Sequence, residues 1–225
     1  MNHTTSQYQY FENLYKFYNQ RLFANKLPDV LLNFTRKHKV SGMFVSDQWK
    51  DHTGKLVHEI SINPDAIKDQ FDIDFHQTLV HEMCHLWQQE HGKNSRLGYH
   101  NKQWAKKMIS IGLMPSDTGK EGGKTTGQNM SDYFIEDGQF IMAFKRLQEE
   151  KFAFLPLKPN NDHLFCQEVA ADGSVTFSPI IREKNKASKQ GVKFKYTCKC
   201  PSNVWGKSNL NIRCNICESD FIVNN

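Results

Sequence analysis

Between residues 74 and 90 the chain lays two patterns on one helix, and together they dictate most of what can surround it. Phe75, Leu79, Met83 and Leu86 recur at helical spacing, an apolar stripe that must be buried. The same stretch carries His81-Glu82-Met83-Cys84-His85. Residues four apart on a helix stand one above the other, so both imidazoles can reach a single ion. Glu82 sits about 100° further round, near such an ion but outside its ligand set. Bound zinc lowers the pKa of a water toward about 7, and a neighbouring carboxylate can take its proton as it attacks a carbonyl. A helix with one core face and one metal face has to form the floor of a cleft. Asp72 or Asp74 is the expected cap and Gly92 the stop signal.

Around this helix the pattern alternates between short strands and helices. Tyr8–Phe23 reads as an amphipathic helix through Phe11, Leu14, Tyr15, Tyr18 and Leu22. Val30–Thr35, Val40–Val45 and Leu56–Ile62 read as strands, the last two joined by a turn at Asp51-His52-Thr53-Gly54. A second helix is expected from Asn101 to Ile111. A Gly-, Ser- and Thr-rich stretch from Pro115 to Met130 follows, longer than a plain connector and so a candidate functional loop. Tyr133–Glu150 reads as helical, and Leu155–Asn161 as a linker. The expected fold class is α+β: a small twisted sheet packed on the motif helix, then a small β-rich zinc ribbon. The expected domains are residues 1–150 and 151–225.

Composition narrows the setting. The 225 residues are 38% hydrophobic, ordinary for a chain that buries a core. No apolar run approaches the roughly 20 residues of a membrane helix, and the N-terminus lacks the basic-then-apolar order of a secretory signal. A cytoplasmic protein is the expectation, and a monomer the working assumption. In a reducing compartment, close cysteine pairs point to metal rather than disulfides. Cys198-Lys199-Cys200 and Cys214-Asn215-Ile216-Cys217 supply two such pairs, a tetrahedral structural zinc site whose one-residue first knuckle departs from the commonest ribbon.

Three segments carry a resemblance to a known family. They are Thr78-Leu79-Val80-His81-Glu82-Met83-Cys84-His85-Leu86-Trp87-Gln88-Gln89, then Gly98-Tyr99-His100-Asn101, then Trp104-Ala105. They resemble the SprT-like metallopeptidases, which include bacterial SprT proteins and the Spartan proteases that digest DNA–protein crosslinks. The likeness spans roughly residues 8–145. It implies a zinc endopeptidase with His81, His85 and His100 as ligands and Glu82 as general base. With the cysteine cluster, a form of ribbon that some family members carry, the expectation is two zinc ions per chain. Tyr133 is the candidate transition-state donor, and Glu59 a candidate partner for a ligand histidine. His58 is expected to be a hydrogen-bonded core histidine, His76 to face away from His81, and Cys84 to be a small buried hydrophobe.

The net charge of +5 is carried entirely by the last third: residues 1–150 hold 18 basic and 18 acidic side chains. Lys184, Lys186, Lys189, Lys193, Lys195 and Lys199 crowd together there, with Trp205, Phe194 and Tyr196 interleaved. Aromatics among cations suit single-stranded nucleic acid, whereas a charge run by itself is a solvated face. Three readings follow. The first is an endopeptidase acting on DNA-associated proteins, with nucleoid or nuclear association. The second is a zinc-stabilised DNA-binding module without hydrolysis. The third is a zinc hydrolase of small amides or peptides. An open groove favours the first reading, and a closed pocket the third.

Overall fold

The computed structural model describes residues 2–37, 39–67, 71–96, 98–152, 155–159, 165–169, 175–179, 194–200, 202–206 and 211–223. For Phe71, 165–169, 175–179 and Phe194 only the backbone is described. The chain forms two compact units, Met1–His163 and Leu164–Asn225. It is a mixed α+β structure of helices and small sheets, as its sequence implies.

Helix α1 (His3–Leu22) starts where the Asn2 side chain accepts the Thr5 N–H at 2.8 Å. It buries Phe11, Leu14, Tyr15 and Tyr18, the stripe read from spacing. It stops at Ala24 and Asn25, both at positive φ. Strands β1 (Leu31–Phe34), β2 (Gly42–Lys50) and β3 (Leu56–Ile62) make one sheet in the order β1-β3-β2. β1 runs parallel to β3, and β2 antiparallel to it through a turn closed by Gly54 N–H to Asp51 O. β2 runs past its expected end at Val45, through a register shift between Val45 and Trp49. Asp47 takes positive φ at this bulge, and its N–H reaches His58 Nδ1 at 2.9 Å.

Helix α2 (Phe71–His91) carries the motif. Asp72 and Asp74 lie inside its first turn, where negative charge favours the helix N-terminus, rather than at the cap. Phe75, Leu79, Val80, Met83 and Leu86 are fully buried beneath it. Each such large side chain contributes about 1.5–3 kcal/mol of burial. Helix α3 (Lys102–Ser110) is capped by Asn101, whose side chain accepts from Gln103 and Trp104 N–H, and Gly112 follows its end at positive φ.

The 115–150 region differs from its expected loop and helix. Leu113–Ser116 forms β4 and pairs antiparallel with β5 (Ser131–Phe134), and helix α4 (Gln139–Glu149) begins only after it. Both strands have four residues, too few for an alternating pattern to register. Residues 155–159, read as linker, run along the first unit. Leu155 is buried in its core, and Leu157 exchanges two hydrogen bonds with the Gln7 side chain.

In the second unit β6 (Phe165–Val169) pairs with β7 (Val175–Pro179). β8 (Phe194–Thr197), β9 (Asn203–Gly206) and β10 (Ile222–Val223) form a sheet in the order β10-β8-β9.

Candidate metal centre

Helix α2 brings Thr78, His81, Glu82 and His85 to one cleft beside its buried stripe. His100 reaches the same place from the segment before α3. His81, His85 and His100 each offer a ring nitrogen, all within 4.8 Å of one another. Nε2 of His85 and Nε2 of His100 are 3.1 Å apart. Nitrogens held about 2.0–2.1 Å from one tetrahedral ion would stand about 3.3 Å apart, so the donor set fits zinc. The ring of Trp104 underlies all three imidazoles, at 5.1, 5.3 and 4.4 Å between centroids.

Each flanking hydrogen bond leaves an Nε2 lone pair free for the centre. His81 Nδ1 donates to Asp132 Oδ2 at 2.7 Å. His100 Nδ1 lies 3.3 Å from Gly127 O, within a β-bridge formed by His100 N to Gly127 O and Gly127 N to His100 O. The Gly-rich loop thus holds the third histidine, and Gln128, Asn129 and Met130 continue along the cleft wall. Asp132 is itself held by Gln77, whose Nε2 donates to its carboxylate and its carbonyl, both at 2.8 Å.

The electrostatics separate the three rings. Burial works to lower the His81 pKa, but the bond and charge of Asp132 together with the Glu82 charge carry it above its ordinary value. Burial, then the neighbouring histidines, holds His85 well below its ordinary value. Burial and His81 bring His100 down to about 4, against the opposing bonds from Gly127 and Gln128. Both therefore stay neutral and ready to ligate near pH 7. Burial pushes the Glu82 carboxyl up to about 7, with His81 and the Phe44 N–H pulling the other way.

Other sequence-singled residues take different places. Glu59 accepts from Trp49 Nε1 at 2.6 Å and from the Ser61 hydroxyl, and it is Asp132 that accepts the hydrogen bond of His81 Nδ1. Asp132 gave no sequence signal beyond its closeness to the Gly-rich loop. Tyr133 is half-buried and absent from the cleft lining, to which β5 contributes Ser131 and Asp132. His58 is buried between the Asp47 N–H and Glu90, and His76 between the hydroxyls of Tyr10 and Tyr18. Cys84 is fully buried.

In the second unit the sulfurs of Cys198, Cys200, Cys214 and Cys217 lie within 4.8 Å of one another. Cys200 Sγ is 3.1 Å from Cys198 Sγ and 3.6 Å from Cys214 Sγ. Thiolates on one tetrahedral zinc stand about 3.8 Å apart, so this cluster fits a closed four-sulfur site. The hydroxyls of Ser202 and Ser219 lower the pKa values of Cys200 and Cys217, while burial raises that of Cys198. Lys195 and Trp205 are directly opposed on β8 and β9, and both are exposed, as is Lys199. Tyr196, by contrast, is 2% exposed, a core residue of the ribbon. Lys184, Lys186, Lys189 and Lys193 lie outside the described residues.

A three-histidine centre beside a buried carboxylate in an open cleft defines the class of site. Residues 11–122, which include all three histidines and Glu82, match the SprT-like family, so the chain carries a SprT-like domain. No curated protein and no solved structure matches the chain. No helix among the described residues is long and apolar enough to cross a membrane.

Proposed function

We propose that the chain is a zinc-dependent endopeptidase that acts on DNA-associated proteins. The observation that carries this reading is the placement of Glu82. It lines the same cleft as the three convergent histidines but is not one of them. A site that only held metal for stability would have no use for a buried carboxylate at that point. The cleft encloses about 1420 Å³ and is open to solvent. Pockets for small ligands span roughly 300–1,000 Å³, so its size favours a polypeptide over a small amide.

Zinc bound by His81, His85 and His100 would supply a polarised water and a Lewis acid for the scissile carbonyl. The chain's own groups do the rest. Asp132 and the Gly127 carbonyl orient the rings of His81 and His100. Glu82, with its pKa raised to about 7, is matched to take the proton of the attacking water and pass it to the leaving nitrogen near neutral pH.

The DNA-linked part of the reading is supported by the second unit. Trp205 is 62% exposed and paired across the strands with Lys195, which puts an aromatic face and a cation side by side. A protease tethered to DNA meets DNA-bound proteins at high effective concentration. The test is incubation of the zinc-loaded chain with an unfolded protein, free or crosslinked to single-stranded DNA, with new amino termini as the readout. Cleavage abolished by a chelator and faster on the crosslinked substrate is expected. Absence of cleavage from both substrates would contradict the peptidase reading.

A further inference from the structure

The position of the Glu82 carboxylate depends on an absence, the missing side chain of Gly42. Asn63 N–H bonds Ser41 O at 2.8 Å, so in the β2–β3 ladder the hydrogen-bonded pairs are 41/63, 43/61 and 45/59. Gly42 and Phe44 fall between them and turn their N–H and C=O groups away from β3, toward the open edge of β2. That edge is a wall of the cleft. The Glu82 carboxylate faces this edge, where the Phe44 N–H works to lower its pKa.

To reach it, Glu82 crosses the face of Gly42. A Cβ there would lie 2.7 Å from Glu82 Oε1, 3.0 Å from Glu82 Cγ and 2.6 Å from Thr78 Cγ2. Strand and helix approach this closely only because residue 42 has no side chain. We infer that Gly42 is a positioning residue, leaving the gap through which Glu82 reaches the β2 edge and is held beside the histidines. This rests on the peptidase reading for its consequence, because there Glu82 is the base. A misplacement of about 1 Å in such a group can cost on the order of 10²-fold in rate.

The test has two arms on the full chain. In the first, amide exchange at Phe44 is followed in the metal-free protein. Glu82→Ala removes the carboxylate that faces this amide and Gly42→Ala displaces it, so both should speed Phe44 exchange by about tenfold or more. In the second, the zinc-loaded Gly42→Ala protein should lose about 10–100-fold in kcat, with KM and zinc affinity within about twofold of wild type. Adding Thr78→Ser relieves the contact with the Thr78 methyl and restores room for the helix, yet kcat should stay low because the contact with Glu82 persists. Wild-type protection of Phe44 in Gly42→Ala, or kcat restored in the double variant, overturns the inference. The exchange arm decides it even if the chain hydrolyses no peptide, so the two readings fail separately.

Discussion

His81 Nδ1 and Asp132 Oδ2 lie 2.7 Å apart, a bond across 51 residues that ties helix α2 to strand β5. It selects the tautomer that leaves Nε2 free for a metal and raises the basicity of the ring. Gln77, one turn before His81, completes the clamp by holding Asp132 through two bonds.

Asp132→Ala should therefore weaken the histidine site without touching a ligand. Loss of such a partner typically costs 10–100-fold in metal affinity, read here by competition with a chromophoric chelator. The four-cysteine site should be unaffected. An unchanged affinity at the histidine site would show that the bond does not orient His81.

The depressed pKa of His100 predicts a pH dependence of stability. An unfolded histidine protonates near about 6.5, whereas folded His100 does so only at about 4. Between those values the unfolded state binds more protons, so the contribution of His100 is fully present above about 6.5 and is lost as pH falls toward about 4. His81, raised in the fold, acts in the opposite sense, which makes a difference measurement necessary. In metal-free protein, wild type should lose melting temperature more steeply than His100→Asn across this window. Parallel profiles would contradict the buried, neutral state of His100.

Two donor sets that each fit zinc lead to a prediction of two ions per chain. Elemental analysis of the purified protein should give two zincs, and Cys214→Ser should remove one while leaving the histidine site loaded. The same substitution should lower the stability of the second unit, because metal bound only by the folded state stabilises it. One zinc or none, with all ligands intact, would contradict the assignment.

How far the sequence could be read depended on the range of each interaction. Helix α2 was legible because its stripe and its motif are both local. His100 could be placed only through family resemblance, since nothing in residues 92–100 points to metal. Asp132 was hidden because its role arises when two four-residue strands pair and bring it back to α2. The strand pattern instead drew attention to Glu59, which the fold commits to Trp49 and Ser61. Leu155 looked like linker beside Pro156 and Pro159, yet the core of the first unit buries it. Its apolarity, rather than the prolines, was the informative feature.

The DNA-tether proposal predicts two separable contributions of the ribbon face to binding of single-stranded DNA. Trp205→Ala should cost about 1–3 kcal/mol of stacking, with little change in salt dependence. Lys195→Ala should instead flatten the log–log salt slope by about 0.7, the signature of one lost phosphate contact. Titrations of the full chain across a range of salt separate the two. Binding indifferent to both substitutions would remove this face from the DNA-tether proposal.

The central claim is that Glu82 is the base of a zinc peptidase, and Glu82→Gln addresses it most directly. The amide keeps the shape of the side chain but cannot take a proton from water, and loss of a general base typically lowers the rate by about 10²–10⁴-fold. Proteolysis by the zinc-loaded variant, measured beside its zinc content, should fall by that factor with both ions still bound. Wild-type cleavage by a fully zinc-loaded Glu82→Gln protein would contradict the account.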